Sequence, residues 1–278
     1  MPRPQETPLS SLATFLPLAA DSGSGFVPPS LEDFFPPIVL WEGTPFAFNR
    51  IIMVRLIATV ALLLVFVIGA RTAKLVPGRF QVVLEMGLDF CRRSIAYETL
   101  GEKLGKKYVN IITTIFFSVF FLNITGVIPF LNIAGTSVIG LPLIFALWVF
   151  VLYIGASVKM HGVGGFLKLS LFPPGVPKFL YVLLTPVEFL QVFLLRPATL
   201  TIRLFANMMS GHLLLALCYS ATSYLFLHAS AGLKPLGIVT FAGGFAFFFL
   251  EIFVAALQAY VFAILTAVYL QMVLEAEH

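Results

Sequence analysis

Charge is scarce in this sequence. Of 278 residues, 11% are Asp, Glu, Lys or Arg, against roughly 25% in an ordinary soluble chain. With so few charges and a mean hydropathy of +1.00, no single soluble core could hide the apolar surface, because cores stop growing near this length. Cysteine is scarcer still. Cys91 and Cys218 stand far apart and form no CxxC pair, which argues against a disulfide scaffold or a zinc site and leaves both as packing residues. HExxH, GxSxG and Walker-type lysine loops are absent, as are paired broken helices repeated in two halves. Intramembrane hydrolysis and stand-alone secondary transport both lose ground. The first 48 residues, rich in Pro, Ser and Gly, hold one short apolar stretch, Leu12 to Ala20, broken by Pro17. That is too short for a spanning helix and poorly flanked for a cleaved signal peptide.

What is present is apolar. Hydrophobic residues make up 59% of the chain, and thirty residues are phenylalanine. The expected fold class is an all-α membrane protein: about five membrane-crossing helices plus one surface amphipathic helix, the last two crossings forming a long, steeply tilted hairpin. The polar segment 1–48 is expected outside, and residues 49–278 form the integral membrane domain. Ile51 to Ala70 is apolar except for Arg55, about one bilayer thickness as a helix. Arg50 and Arg55 at its start are placed to snorkel to the interface. Over 79–107, Phe80, Leu84, Leu88, Cys91 and Ile95 form an apolar stripe, with Gln81, Glu85, Asp89, Arg92 and Arg93 on another. That pattern predicts an amphipathic helix on a membrane surface or against a partner. From Tyr108 to Val158 no charged residue occurs in 51 positions, enough for spans at about 109–131 and 141–158. Lys159, His161, Gly162, Gly164, Gly165 and Lys168 read as the next loop. Further spans are expected at about 180–228 and 236–274.

Basic residues set the expected topology. Loops 71–107 and 159–178 together hold eleven of the seventeen Lys and Arg residues. These loops are therefore expected inside, with the N-terminus outside and the C-terminus cytoplasmic. The net charge of +4 belongs to this topology and not to nucleic-acid binding.

The last third carries the chemistry. Residues 179–274 contain five charges: Glu188, Arg196, Arg203, Lys234 and Glu251. An arginine in mid-membrane costs about 2.5–3.5 kcal/mol even on the gentler scale. Arg203 is either a buried residue paired with Glu251 or capped by carbonyls, or an ion-pathway charge, the default reading of such groups. Thr199, Arg203, Ala206 and Ser210 form a stripe of small side chains around one charge, which predicts a face that meets another helix. Asn207 follows Arg203 by four, whereas His212 lies about half a turn away from it. If the last two spans fold back near residue 231, positions whose numbers sum to about 462 lie at equal depth. His212 then lies level with Glu251, and Arg203 with Gln258. A His–Glu layer can relay protons; it can equally be a satisfied interhelical hydrogen bond.

The run Leu195-Arg196-Pro197 through Thr201-Ile202-Arg203-Leu204-Phe205-Ala206-Asn207-Met208-Met209-Ser210-Gly211-His212 resembles the signature of subunit a of F-type ATP synthases. So does Leu257-Gln258-Ala259-Tyr260-Val261-Phe262 with Leu265-Thr266 and Tyr269-Leu270. Phe121-Leu122-Asn123-Ile124-Thr125-Gly126-Val127-Ile128-Pro129 is similar to the family's second span. The resemblance covers most of residues 108–274. It implies a non-catalytic, proton-translocating subunit in which Arg203 is the stator arginine and Asn207 and Gln258 are its polar neighbours. His212 and Glu251 stand where some members carry the acid and the base in the opposite order. Glu188 lies fifteen residues before Arg203, one more than the family spacing, on the expected inner proton path. The implied partners are a ring of c subunits, the peripheral stalk b subunits, indirectly the F1 head, and the lipid bilayer of a bacterial plasma membrane. No nucleic acid, cofactor or metal is expected. An independent ion channel and a purely structural membrane scaffold are the competing classes.

Overall fold

A computed structural model describes residues 38–40, 48–128, 134–172, 178–229 and 232–274. Most of the segment 1–48 and Pro129 therefore lie outside the described residues, as does Ala231 at the expected hairpin turn. A short antiparallel strand pair, β1 (Ile38–Leu40) and β2 (Phe48–Asn49), precedes the first helix. The polar groups are positioned by helices and by the turn that precedes Gly140.

Helix α1 (Arg50–Arg71) begins where Asn49 accepts a hydrogen bond from the Ile52 N–H at 3.0 Å, a side-chain N-cap that satisfies one of the orphan donors of the first turn. Large apolar side chains cover its outer surface, among them Leu56, Leu63 and Leu64, each more than half exposed. In water such a surface would aggregate; in a bilayer it meets its solvent.

The amphipathic segment does not stand apart from the span that follows. Helix α2 (Arg79–Phe90) runs through a π-helical stretch, Cys91–Tyr97, into α3 (Glu98–Ile124), and the chain bends at Gly101, where φ is +72° and ψ 168°. That backbone region is open essentially to glycine alone. The stripe ends in the core, with Cys91 and Ile95 fully buried, while Phe80 at its start is half exposed.

Helix α4 (Gly140–Leu171) contradicts the loop expected at 159–178. It continues past Lys159 and is bent at Gly162, with φ +72° and ψ 171°. The glycines and charges that read as a loop end one helical segment and start the next, because Gly162 turns the chain without ending its hydrogen bonding for long.

Helix α5 (Tyr181–Leu190), a second π-helical stretch (Gln191–Leu195) and α6 (Arg196–Leu227) form one continuous arm. Helix α7 (Lys234–Leu274) is the other arm, uninterrupted over 41 residues. At 1.5 Å per residue the two helices are about 48 and 62 Å long, against a hydrocarbon core of about 30 Å. Five helical stretches are long and apolar enough to cross a membrane. The protein is thus an all-α membrane protein.

The bundle is held by close approach. Helix α7 packs along both α3 and α6, and its buried Ala255, Ala259, Ala263 and Ala267 recur every four residues. Small residues on one face let backbones come near enough for dispersion to hold helices together where no hydrophobic drive exists. Against that seam lie Ile112, Ile115 and Val119 of α3, Val149 of α4 and Leu200 and Leu204 of α6.

Candidate functional site: two faces of the last hairpin

The hairpin folds in the register expected from its sequence. Thr222 and Thr240 share a hydrogen bond at 2.8 Å, and a Cβ on Gly244 would stand 3.2 Å from that of Cys218. Both pairs of numbers add to 462. Deeper along the arms the carboxyl of Glu251 lies directly against Gly211, whose number completes the same sum. Glu251 reaches this depth because Gly211 carries no side chain. The expected level pairing of Glu251 with His212 is met to within one residue.

The second layer differs from expectation. Gln258 pairs with Asn207, whose Nδ2 donates to Gln258 Oε1 at 2.8 Å, and no hydrogen bond links it to Arg203 among the described residues. Asn207, one turn beyond Arg203, takes the place. Arg203 itself is exposed. It forms no ion pair with Glu251 either: both oxygens of that buried carboxyl lack a hydrogen-bond partner among the described residues.

Arg203 shares its exposure with Thr199, Ala206 and Ser210. The small-residue stripe is therefore uncovered, and among the described residues no helix lies on it. The opposite face of α6 turns inward, with Leu204, Met208 and His212 all buried. Arg203 and His212 face different neighbours, as their spacing requires.

His212 sits in a polar pocket built by the break between α3 and α4. Its ring lies against Gly126, and its Nε2 accepts the N–H of Ala134 at 3.0 Å. Around it, Thr136 Oγ1 donates to Asn123 Oδ1 at 2.6 Å, and Thr125 Oγ1 donates to the Leu122 carbonyl at 2.8 Å. All of Asn123, Thr125, Thr136 and Ser137 are buried. A buried polar cluster between apolar helices needs such internal partners, because lipid supplies none.

Arg55 and Arg196 are both drawn inward. Arg55 does not snorkel: its Nε donates to the Gly135 carbonyl at 2.8 Å, at the edge of a cleft of about 230 Å³ also lined by Thr59 and Ser118. Arg196 lies over the rings of Tyr269 at 5.2 Å and Tyr153 at 5.9 Å, and Tyr153 donates to the Val192 carbonyl in the π-helical stretch at 2.9 Å. Glu188 is half-buried on α5, and no hydrogen bond or ion pair joins it to the other five expected site residues among the described residues.

Gly126, Gly211 and Arg55 belong to the site but were not singled out for it in the sequence. Each left a signal. Gly126 and Gly211 sit inside two of the runs that carry the family resemblance, and Arg55 is the sole charge in a 20-residue apolar stretch.

Fold and polar layers together define a multi-pass helical membrane protein that carries ionisable groups within its bundle. The sequence matches the ATP synthase A chain family over residues 52–271. It is 45% identical over 260 residues to "ATP synthase subunit a" of Rhodococcus erythropolis, an alignment covering 94% of each chain. The protein of that name from Pseudarthrobacter chlorophenolicus is 35% identical over 266 residues, covering 96% of this chain and 99% of the relative. That from Streptomyces lividans is 36% identical over 258 residues, covering 92% and 90%. The chain belongs to the ATP synthase A chain family.

Proposed function

We propose that this chain is the stator subunit of a rotary ATP synthase, providing two proton half-paths to a ring of c subunits and the arginine that separates them. Membership in the family supports a proton-translocating subunit of the membrane sector. The observation that carries the finer reading is the division of α6 into two faces. Arg203 lies exposed on a stripe of small residues, and His212 lies buried behind it next to Glu251's level. A charge held outward in a membrane helix needs a partner of opposite charge that comes to it. The small stripe leaves room for such a partner's helix to approach closely.

In this reading a proton enters from outside through the polar pocket of Asn123, Thr136, His212 and Glu251, and neutralises a carboxylate of the ring. The neutral acid can face lipid, whereas the charged form cannot do so cheaply. After most of a turn it meets an inner aqueous path near Glu188 and releases its proton. Arg203 then holds the carboxylate and blocks direct passage between the two half-paths. Asn207 and Gln258, tied to each other across the arms, set the position of α6 against α7 beside it. The available work is about 2.3 kcal/mol per charge for each 100 mV. The chain carries out no ATP chemistry in this scheme; coupling runs through the ring to an F1 head, with stalk b subunits holding the stator still. The site is a bacterial plasma membrane with the N-terminus outside and the C-terminus cytoplasmic.

The test is ATP-driven proton pumping in vesicles carrying Arg203→Ala, with assembly checked by co-purification of ring and soluble head. Pumping is expected to vanish in an assembled complex. Normal pumping would make Arg203 structural. Ion flux from the purified chain alone would favour an independent channel.

A further inference from the structure

Arg55 is the one charge between the terminal arginines of α1, Arg50 and Arg71, five residues from the helix start, and the proton path described above makes no use of it. Its Nε–H donates to the Gly135 carbonyl at 2.8 Å. Gly135 stands in the short turn that follows the break between α3 and α4. The same residue's N–H is given to the Leu122 carbonyl at 3.0 Å and lies 3.4 Å from Thr125 Oγ1. The turn is closed by the Ser137 N–H on the Ala134 carbonyl at 3.0 Å, and Thr136 ties it to Asn123 at 2.6 Å. One residue before Gly135, the N–H of Ala134 points at Nε2 of His212 at 3.0 Å.

A backbone amide can only donate, so Nε2 of His212 must accept. A neutral imidazole that accepts at one nitrogen carries its proton on the other. Nδ1 is therefore the protonated nitrogen, and an imidazolium would set two N–H donors face to face. We propose that Arg55 is a positioning residue for proton transfer: by holding the Gly135 carbonyl it fixes the turn that presents the Ala134 N–H, which keeps His212 neutral with its proton on Nδ1. Helix α1 thereby controls which nitrogen of a histidine on α6 can exchange a proton, with no contact between the two side chains.

The geometry leaves little slack. A Cβ on Gly135 would stand 2.7 Å from Leu122 Cδ2 and 3.4 Å from Arg55 Cγ, so the turn is seated against both. Few other charges act on His212. Glu251 on α7 lies against Gly211, the residue before His212; Arg203 lies on the far face of its own helix; Arg55 stands behind the turn. Residues 109–158, which supply α3 from Val109 onward, the turn and the first half of α4, contain no Asp, Glu, Lys, Arg or His.

The inference rests on the reading of His212 as part of the proton path, and the experiment separates the two. The assembled complex, with ¹⁵N-histidine in this chain, is examined by solid-state NMR, the His212 signal being assigned by its loss in His212→Gln. ATP-driven pumping is measured across pH 6–9 on the same preparations. In the unsubstituted complex Nε2 is expected unprotonated throughout that range. Arg55→Met, which reaches as far as Nε but removes the donor, is expected to protonate Nε2 in part, to lower pumping about tenfold and to change its pH profile. Arg55→Lys, which can still donate to the carbonyl, restores both. Gly135→Ala opens the contact from the other side and is expected to give the same change of tautomer, so the result does not hang on one variant. A protonated Nε2 in the unsubstituted complex overturns the proposal, as does an unchanged tautomer in Arg55→Met or Gly135→Ala, whatever happens to pumping. A changed tautomer with unchanged pumping upholds Arg55 as the group that sets the tautomer and overturns its part in proton transfer, removing His212 from the proton path.

Discussion

The amide of Asn207 donates to the side-chain oxygen of Gln258 at 2.8 Å, joining the two arms of the last hairpin one turn from Arg203. The Gln258 Nε2 is buried with no second partner among the described residues. The pair fixes the rotation of α6 about its axis, and so the direction in which Arg203 points. Hydrogen bonds between membrane helices contribute about 0.6 kcal/mol on average and up to about 1.7. A double-mutant cycle with Asn207→Leu and Gln258→Leu, read as unfolding in mixed detergent, is expected to give coupling in that range. Zero coupling would show that the two side chains do not bond in the assembled bundle.

Gly211 makes room for Glu251. Adding a methyl at residue 211 places it on the Glu251 carboxyl, so Gly211→Ala is expected to displace that group and to abolish most ATP-driven pumping while the complex still assembles. Gly243→Ala, in the same arm pair, meets nothing within 4 Å and replaces a poor helix former with a good one. It is expected to pump normally. Equal loss in both variants would mean that helix stiffness, and not the position of Glu251, controls pumping.

Much of this was legible in advance because it depends on periodicity. The level pairing of α6 with α7 follows from two uninterrupted helices and one turn, and simple arithmetic placed Glu251 within one residue of Gly211, against which it lies. The pairing of Gln258 was not legible, since long side chains reach up or down their helix by a turn, and only the packed geometry brings Asn207 within bonding distance of it. Arg55 was misplaced for a different reason. A charge near a helix end can reach water or fold inward, and only the location of a distant carbonyl, Gly135, decides between them. The continuation of α4 past Lys159 was hidden by composition, because glycine-rich polar sequence reads as loop even where one left-handed residue suffices to bend a helix.

Those bends carry their own prediction. Gly101 and Gly162 share φ +72° with ψ near 170°, and an added Cβ at either would meet no atom within 4 Å. Any cost of substitution is therefore conformational and not steric crowding by neighbours. Gly101→Ala and Gly162→Ala are each expected to destabilise the chain by about 1–3 kcal/mol, measured by thermal inactivation of the detergent-solubilised complex. Gly155→Ala, also in open space but within regular helix, should be neutral or slightly stabilising. A cost at residue 155 equal to that at 101 and 162 would show that the bends are not where the strain falls.

Arg203→Lys tests what the exposed charge must be. Both side chains are cationic, yet guanidinium is planar, weakly hydrated and charged at any physiological pH, whereas an ammonium is compact, strongly hydrated and loses its proton more readily when desolvated. If Arg203 only balanced charge in the membrane, Lys would serve and pumping would persist. If it must hold a moving carboxylate in two-pronged geometry and then release it, Lys is expected to fail, leaving pumping below about a tenth of normal in a fully assembled complex. The small stripe sharpens the comparison, because Thr199, Ala206 and Ser210 give the shorter-reaching ammonium no second polar anchor of opposite charge. ATP-driven acidification of vesicles, normalised to the amount of ring that co-purifies, reads the result directly. Pumping retained with Lys would leave Arg203 as a charge of the right sign and remove its geometry from the mechanism.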